Sequence, residues 1–299
     1  YDPNFSAAAN IATAPTGLLI PPSNVMITFS LVSGGTSVAA LFMAGYIPGA
    51  LWALACMLVV YIYAKKAGYR SQTKLTGKEK FNAFIQALPC LLLIIIVIGG
   101  IIAGVFTATE GSVVAVVYSL LLSIYGYKSM KWKDLPEIFR SSAEMTGIII
   151  FLIGVSSIMS WVMAFTNIPT MVSNGLLSIS SNKYVILLMI NIILLVVGTF
   201  MDMTPATLIF TPIFLPVCTA LGMNTIHFGI MLIFNLCIGT ITPPVGTTLF
   251  VGVKVGGVKI ETVFKHLLPY FFAIIVVLML VTYIPQLSLW LPGLMGYVS

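Results

Sequence analysis

Charged residues are scarce in this 299-residue sequence. Lys and Arg number 14 and Asp and Glu number 8, so charged residues make up only 7% of the chain, against 59% hydrophobic residues. A soluble domain carries about 25% charged residues. The apolar runs are long and lack the alternation of barrel strands. The sequence therefore predicts an all-α polytopic membrane protein in contact with the lipid bilayer.

The net charge of +6 is typical of cytoplasmic loops in a membrane protein and does not indicate nucleic-acid binding. Residues 65–80 carry six basic side chains and residues 128–140 carry four, which predicts that both loops face the cytoplasm. Residues 76–81 resemble the start of an amphipathic helix on the membrane surface. Residues 167–183 are polar and nearly uncharged, as expected of an exterior connector.

Residues that commonly carry catalysis or metal binding are few. The two histidines, His227 and His266, are far apart in sequence and belong to no ligand motif. The cysteines lie in apolar context without metal-ligand spacing: Cys56, Cys90, Cys218 and Cys237. We therefore predict no catalytic residue and no covalent cofactor. A polytopic membrane enzyme stays a less favoured alternative, and a channel is less favoured because no selectivity-filter motif is present.

Residues 198–257 contain the strongest candidate site. Asp202 is the only acidic residue between Tyr184 and Lys254, and an acid in apolar membrane sequence indicates a functional site. The surrounding Gly, Pro and Thr residues break helices and supply carbonyl and hydroxyl oxygens, which hard cations prefer. The prolines at positions 205, 212 and 216 predict that residues 203–221 are interrupted, so a re-entrant hairpin followed by a broken helix is expected here.

The beginning of the chain repeats this stretch at a shift of 222 positions. Gly17 then coincides with Gly239, Pro21-Pro22 with Pro243-Pro244, and Gly34-Gly35 with Gly256-Gly257. Broken apolar segments in corresponding positions of two halves indicate the binding site of a transporter. Tyr1 coincides with Met223, inside the second copy, which leads us to expect that an N-terminal portion precedes this chain.

Four ordered motifs resemble the large membrane (permease) subunit of TRAP transporters, the DctM-like family. They are Tyr1-Asp2-Pro3 through Ile20-Pro21-Pro22-Ser23, Phe106-Thr107-Ala108-Thr109-Glu110, Met201-Asp202-Met203-Thr204-Pro205, and Thr242-Pro243-Pro244-Val245-Gly246. The resemblance runs along the whole chain, although family members extend further upstream. It implies an inverted-repeat, elevator-type transporter with two re-entrant hairpins and two broken helices.

The resemblance also implies a division into domains. Residues 1–48 are expected to be part of the first repeat of a moving transport domain, and residues 49–182 to form scaffold and surface helices. Residues 183–257 are expected to hold the second repeat, with its hairpin and broken helix. Residues 258–299 remain as a C-terminal helix and tail.

The function implied by the resemblance is sodium-driven import of organic acids, a C4-dicarboxylate or a similar carboxylate. The implied partners are a small TRAP membrane subunit and a periplasmic substrate-binding protein, and the implied location is the bacterial or archaeal cytoplasmic (inner) membrane, which the chain would cross several times. Sodium ions would be the coupling ions. A sodium/dicarboxylate symporter of a related elevator fold that needs no binding protein stays an alternative.

Two sodium sites are implied by the same resemblance. The second would use the hairpin and the broken helix, at Gly198, Thr199, Asp202, Gly239, Thr240, Thr242 and Gly246. The first would retain here only its broken-helix half, at Thr16, Gly17, Pro22, Ser23 and Asn24. Asp202 either touches the ion or holds the hairpin by accepting backbone hydrogen bonds. Lys254 either faces the substrate carboxylate or extends to the membrane surface, and the second reading is favoured.

Overall fold

The computed structural model describes residues 1–69, 76–180 and 182–297, and within them it contains α-helices and no strand. The helices are α1 (Pro3–Thr13), α2 (Thr16–Leu19), α3 (Asn24–Val32), α4 (Val38–Ala67), α5 (Gly77–Ile102), α6 (Ala108–Leu121), α7 (Leu135–Phe165), α8 (Ile168–Ile179), α9 (Lys183–Phe200), α10 (Met203–Ala220), α11 (Thr225–Thr240), α12 (Thr247–Gly256), α13 (Ile260–Tyr283) and α14 (Gln286–Leu294).

Seven segments in the described part of the chain are long and apolar enough to cross a membrane. They are Val38–Ala67, Gly77–Ile101, Thr109–Gly126, Trp132–Val155, Lys183–Phe200, Met203–Ala220 and Ile260–Tyr283. Pro3–Leu19 and Asn24–Val32, bent by 46° at the intervening break, make an eighth if they count as one span. The prediction of an all-α polytopic membrane protein is confirmed.

The internal repeat reappears in the order and bounds of the helices. A shift of 222 positions carries Pro3, where α1 begins, onto Thr225, where α11 begins, and carries Val38 onto Ile260, where α4 and α13 begin. In each copy a helix stops, a Pro-Pro pair with a cis peptide bond follows, and a short helix resumes. The two copies therefore share one local architecture, a helix broken at Pro-Pro and followed by a long helix.

The two copies touch each other at equivalent positions. The Cys237 thiol donates to the carbonyl oxygen of Pro15 at 3.8 Å, and these residues are 222 positions apart. Trp52 donates its indole N–H to the Ala12 carbonyl at 2.8 Å and places its ring 4.8 Å from that of Phe234, the equivalent of Ala12. Such contacts between equivalent residues are expected where two copies meet about a two-fold axis.

Helix α10 is continuous, so the prediction that its prolines interrupt it was wrong. Pro205 lies in the first turn, where the missing N–H has no helical acceptor. Pro212 and Pro216 each remove one backbone hydrogen bond. Ala206 and Phe214 are buried on the same helix, and this packing offsets the loss so that the helix continues past both prolines.

One further prediction about a connection was wrong. Thr76 does begin a helix, with Glu79 accepting from its backbone N–H at 2.7 Å, but that helix continues as α5 to Ile102 and is no separate surface helix. The expected exterior connector at residues 167–183 contains the 12-residue helix α8, and its position outside the membrane stays a prediction.

The chain separates into two compact units. One comprises Tyr1–Tyr69 with Leu152–Ser299, and the other comprises Arg70–Phe151. In the second unit, Tyr118 and Tyr127 of the α6 region donate to the carbonyls of Pro89 and Gln86 on α5, at 2.8 and 2.9 Å. The predicted domain division stays a prediction, and its first boundary, after residue 48, falls inside α4.

A buried chain of polar side chains links α9, α11 and α13. Asn235 donates to Asn191 Oδ1 at 2.7 Å and to the Met231 carbonyl at 2.8 Å. Asn191 in turn donates to the Thr282 hydroxyl at 3.0 Å. Both asparagines are fully buried. Because unpaired polar groups are costly in an apolar interior, this network fixes how the three helices pack.

We expect Asn191→Leu to lower the free energy of unfolding in detergent by about 1–3 kcal/mol, since it removes the hydrogen bond from Asn235 and leaves the Thr282 hydroxyl without the Asn191 donor. Asn191→Leu combined with Asn235→Leu should cost less than the two single changes added together, because the hydrogen bond that joins the two side chains can be lost only once. Denaturant unfolding of the four proteins measures this coupling. Simple additivity would mean that the network contributes nothing as a unit.

Candidate functional site

The C-terminal ends of α9 and α11 come into backbone contact at two glycines. A Cβ atom added to Gly239 would lie 2.3 Å from the Gly198 carbonyl oxygen and 2.6 Å from the Gly198 Cα. No other residue type fits at Gly239 without moving a helix. The last carbonyls of a helix lack intrahelical donors and carry its partial negative charge. Two such ends therefore share one location.

The link from α11 to α12 folds back onto this contact. The Val245 N–H donates to the Thr199 carbonyl at 3.1 Å, which ties the link to the end of α9. A Cβ on Gly246 would lie 2.7 Å from the Thr242 carbonyl oxygen and 3.1 Å from the Thr240 carbonyl oxygen. Carbonyl oxygens of Thr199, Thr240 and Thr242 thus surround the link, while Pro243 and Pro244 contribute no N–H.

The threonine hydroxyls of this region donate their protons to helix carbonyls. Thr199 donates to the Val196 carbonyl at 2.7 Å, Thr240 to Cys237 at 2.8 Å and Thr242 to Ile238 at 2.6 Å. A hydroxyl that has donated its proton retains lone pairs that only accept. Carbonyls and hydroxyls together make this an oxygen-rich region suited to a hard cation. Six of the seven residues predicted for the second site therefore converge here: Gly198, Thr199, Gly239, Thr240, Thr242 and Gly246.

Asp202, the seventh predicted residue, occupies the N-cap position of α10. Its side chain is exposed and makes no hydrogen bond to the N-terminus of that helix. Its backbone carbonyl accepts from the Ala206 N–H at 3.1 Å. The carboxylate is therefore available to solvent or to an ion, and it does not hold the start of α10 by accepting backbone hydrogen bonds.

The predicted residues of the first site lie at the equivalent break between α2 and α3. Ser23 is buried, donates its hydroxyl to the Leu18 carbonyl at 2.6 Å and accepts from the Met26 N–H at 3.4 Å. Thr16 donates to the Thr13 carbonyl at 2.6 Å. Pro22 and Asn24 are exposed on either side of Ser23. The Ser23 hydroxyl thus bridges the two sides of this break. Its equivalent in the second copy, Val245, has no hydroxyl and cannot make these hydrogen bonds.

Gly17 differs from its counterpart in its surroundings. A Cβ on Gly17 would meet nothing within 4 Å among the described residues, whereas one on Gly239 would overlap Gly198. The two breaks therefore have the same backbone plan and different packing. The second break has the end of α9 against it, whereas the first is packed by α4, where a Cβ on Gly45 would lie 2.2 Å from the Leu19 carbonyl oxygen.

A cleft of about 860 Å³ lies between α12 on one side and α1 with the start of α2 on the other. Its polar lining residues are Asn10, Thr13, Thr16, Thr247 and Thr248. Helix α12 begins at Thr247 without a side-chain cap, so its first N–H groups have no helical acceptor and carry partial positive charge. Asn10, Thr13, Thr247 and Thr248 were missed by the sequence analysis. For the last two, the position just after the Pro-Pro break was the available signal.

The comparisons with known proteins agree with this geometry. Residues 1–287 match the family described as the tripartite ATP-independent periplasmic transporter, DctM component. The chain belongs to this family of large permease subunits of TRAP transporters. It is accordingly a multi-pass protein of the bacterial inner membrane and a transport protein, which excludes the membrane enzyme considered from the sequence.

Three relatives indicate how far the similarity extends. The chain is 53% identical to the uncharacterized protein YgiK of Salmonella typhimurium, with 98% of this chain and 67% of YgiK aligned. It is 36% identical to the sialic acid TRAP transporter large permease protein SiaM of Vibrio cholerae, over 99% of this chain and 70% of SiaM. It is also 36% identical to the C4-dicarboxylate TRAP transporter large permease protein DctM of Pseudomonas aeruginosa, over 99% and 69%.

We expect Gly239→Ala to destabilise the protein by about 1–3 kcal/mol, because the added methyl group meets the backbone of Gly198 and forces α9 from α11. Gly17→Ala, the same change at the equivalent position, should stay within about 0.5 kcal/mol of the unaltered protein, as expected of a site with open space. Thermal unfolding in one detergent compares the two variants. Equal destabilisation would show that the glycine contact does not hold the helices together.

Proposed function

We propose that this chain is the permease through which a tripartite transporter couples sodium entry to the import of an organic acid. The observation that carries the proposal is the convergence of carbonyl oxygens from α9 and from the α11–α12 link around Gly198, Gly239 and Gly246. In secondary transporters, unwound carbonyls and helix C-termini coordinate sodium, and helix N-termini face anionic substrate groups.

Sodium at this site would neutralise the partial negative charge of two helix ends that otherwise repel each other. The oxygens of Thr199, Thr240 and Thr242 are the proposed ligands, and Asp202 contributes a full negative charge at the start of the next helix. Gly198 and Gly239 act by allowing the approach. By repeat equivalence, Thr16, Gly17, Pro22, Ser23 and Asn24 are proposed as half of a first sodium site.

The substrate is proposed to bind in the cleft between α12 and the α1–α2 segment. Thr247 and Thr248 begin α12, so their backbone N–H groups and hydroxyls can donate to a carboxylate. Gly246 stands between the two proposed sites, since it caps α12 and also packs against the Thr240 and Thr242 carbonyls. Sodium that orders this link would therefore favour carboxylate binding, and the substrate would favour sodium binding to the same extent.

The proposed substrate class is supported by the chemistry of the cleft and by the names of two relatives. SiaM is named for sialic acid and the Pseudomonas aeruginosa DctM for C4-dicarboxylates, and both substrates carry a carboxylate. We infer a C4-dicarboxylate or similar carboxylate for this chain. As part of a tripartite system, it is proposed to act with a small membrane subunit and a periplasmic substrate-binding protein, and to carry its substrate by an elevator movement.

The complete transporter in proteoliposomes should accumulate an organic acid only when an inward sodium gradient and the binding protein are both present. Asp202→Asn should weaken the sodium stimulation by roughly tenfold, which corresponds to about 1.4 kcal/mol, while leaving stability unchanged because the side chain is exposed. Glu261→Gln, an exposed acid at the start of α13, is the matched control. Uptake without the binding protein would favour the symporter alternative, and uptake without sodium would refute the coupling.

Removing hydroxyl groups from the cleft should weaken substrate binding more than sodium binding. Thr248→Val keeps the shape of the side chain, and we expect it to raise the apparent KM for the acid roughly 10- to 100-fold, as for one lost hydrogen bond to a charged group. Thr219→Val, at an exposed position on α10, is the control. Radiolabelled uptake at saturating sodium gives the apparent KM for the acid and the maximal rate. A lower maximal rate with an unchanged KM would contradict a substrate contact at Thr248.

A further inference from the structure

A second cavity, of about 870 Å³, lies on the outer surface of the larger unit between α4 and α13. Its apolar walls come from positions three or four residues apart on the two helices, which places them on facing sides. They are Ala55, Leu58, Val59 and Ile62 on α4, and Pro269, Phe272, Ala273, Val276 and Val277 on α13. We call this cavity the α4–α13 groove.

Small residues explain why a groove exists here. Ala55 and Ala273 leave space between the helices that larger side chains would fill, while Leu58 and Phe272 rise on either side and are 57% and 75% exposed. The floor is closed by Phe5 of α1, whose ring stacks on Tyr63 at 3.8 Å. The groove is therefore a defined channel with a floor, which a flat apolar surface lacks.

One end of the groove is basic. Lys66, Lys265 and His266 line it there, and the His266 ring lies 5.9 Å from that of Tyr63. The last turn of α4 therefore meets the first turns of α13. Neither lysine forms an ion pair among the described residues. No basic residue lines the opposite end.

The acidic groups near the basic end leave its charge positive. Asp2 accepts from the backbone N–H groups of Asn4 and Phe5 at 2.7 and 3.4 Å, and the bond from Asn4 lowers the pKa of Asp2, with His266 adding to the effect. Its carboxylate is thus occupied at the start of α1. Glu261 lies in the first turn of α13. Its single negative charge is outnumbered by the lysines at positions 65, 66, 259 and 265. By the positive-inside rule this end faces the cytoplasm.

The length of the groove corresponds to one leaflet. Position 55 is 11 residues from position 66 on α4, which is about 16 Å of helix. Half of a hydrocarbon core is about 15 Å thick. An acyl chain that starts at the lysines would therefore end near the middle of the bilayer, where the groove ends.

We propose that the α4–α13 groove binds an anionic phospholipid of the cytoplasmic leaflet, with its phosphate on Lys66 and Lys265 and an acyl chain along the apolar walls. Basic pockets between transmembrane helices on the cytoplasmic side are a known setting for such headgroups. His266 and Tyr63 stand at headgroup depth, where amphipathic aromatic rings are favoured. The bound lipid would cover the joint between a long helix of the first copy and one of the second. This proposal does not depend on the proposed substrate or coupling ion.

The test is lipid titration of the purified full chain in detergent, followed by native mass spectrometry. The probes are dioleoyl phosphatidylglycerol, dioleoyl phosphatidylcholine and glycerol 3-phosphate. Lys66→Gln with Lys265→Gln should weaken phosphatidylglycerol binding roughly 25-fold, at about fivefold for each lysine near the membrane surface. Lys65→Gln with Lys259→Gln removes the same charge at the same end, outside the groove, and should change binding less than twofold.

A third variant tests the apolar part. Ala273→Phe fills the groove without altering charge and should weaken both lipids, and retention of the unaltered melting temperature shows that it folds. The proposal is overturned if the two lysine pairs behave alike, if phosphatidylcholine binds as tightly as phosphatidylglycerol, or if glycerol 3-phosphate binds as tightly as the whole lipid. If none of the three variants loses lipid, the groove is instead assigned to a helix of a partner subunit.

Discussion

The backbone contact between Gly198 and Gly239 determines what the rest of the larger unit can do. In a membrane every backbone carbonyl needs a partner, and two helices that end in the same place bring together carbonyls that lack intrahelical donors. The Val245 N–H satisfies the Thr199 carbonyl, and the prolines beside it add no donor. Under the proposed function, a sodium ion would be a further partner for the oxygens at this point. That requirement is the physical basis of the proposed coupling site.

The internal repeat places a helix broken at Pro-Pro in both copies, but the surroundings of the two breaks are not identical. Trp52 contacts Ala12 of the first copy and Phe234 of the second, so the joint between the copies is packed and buried. The two breaks differ. At the first, the Ser23 hydroxyl donates to the Leu18 carbonyl, whereas at the second, Gly246 has no side chain and lies against the Thr240 and Thr242 carbonyls. The same backbone plan therefore has different side-chain surroundings in the two copies. The cleft between α12 and the α1–α2 segment combines a helix N-terminus with hydroxyl groups.

Charge is placed sparingly and at the edges of the larger unit. Asp202 is exposed at a helix start, and the basic side chains Lys66 and Lys265 stand at one end of an apolar groove. The interior uses neutral polar groups, such as the Asn191–Asn235 pair, to fix helix packing. Neutral networks hold the packing at lower desolvation cost than buried charges would. The charged side chains are left at the surface, where the proposed ion, substrate and lipid sites lie.

The sequence by itself determined the membrane class, the helical fold, the family and the positions of both helix breaks, because apolar content, Pro-Pro pairs and their spacing are local properties. It also predicted the glycines and threonines that meet around Gly246. It failed at Pro212 and Pro216, where α10 continues past both prolines with buried neighbours on the same helix. Only the tertiary structure decided that Gly239 is crowded and Gly17 open, that Thr248 lines the cleft, and that Lys66 and Lys265 share a groove. Each of these depends on residues far apart in the chain, whose approach is set by packing and is absent from any local pattern.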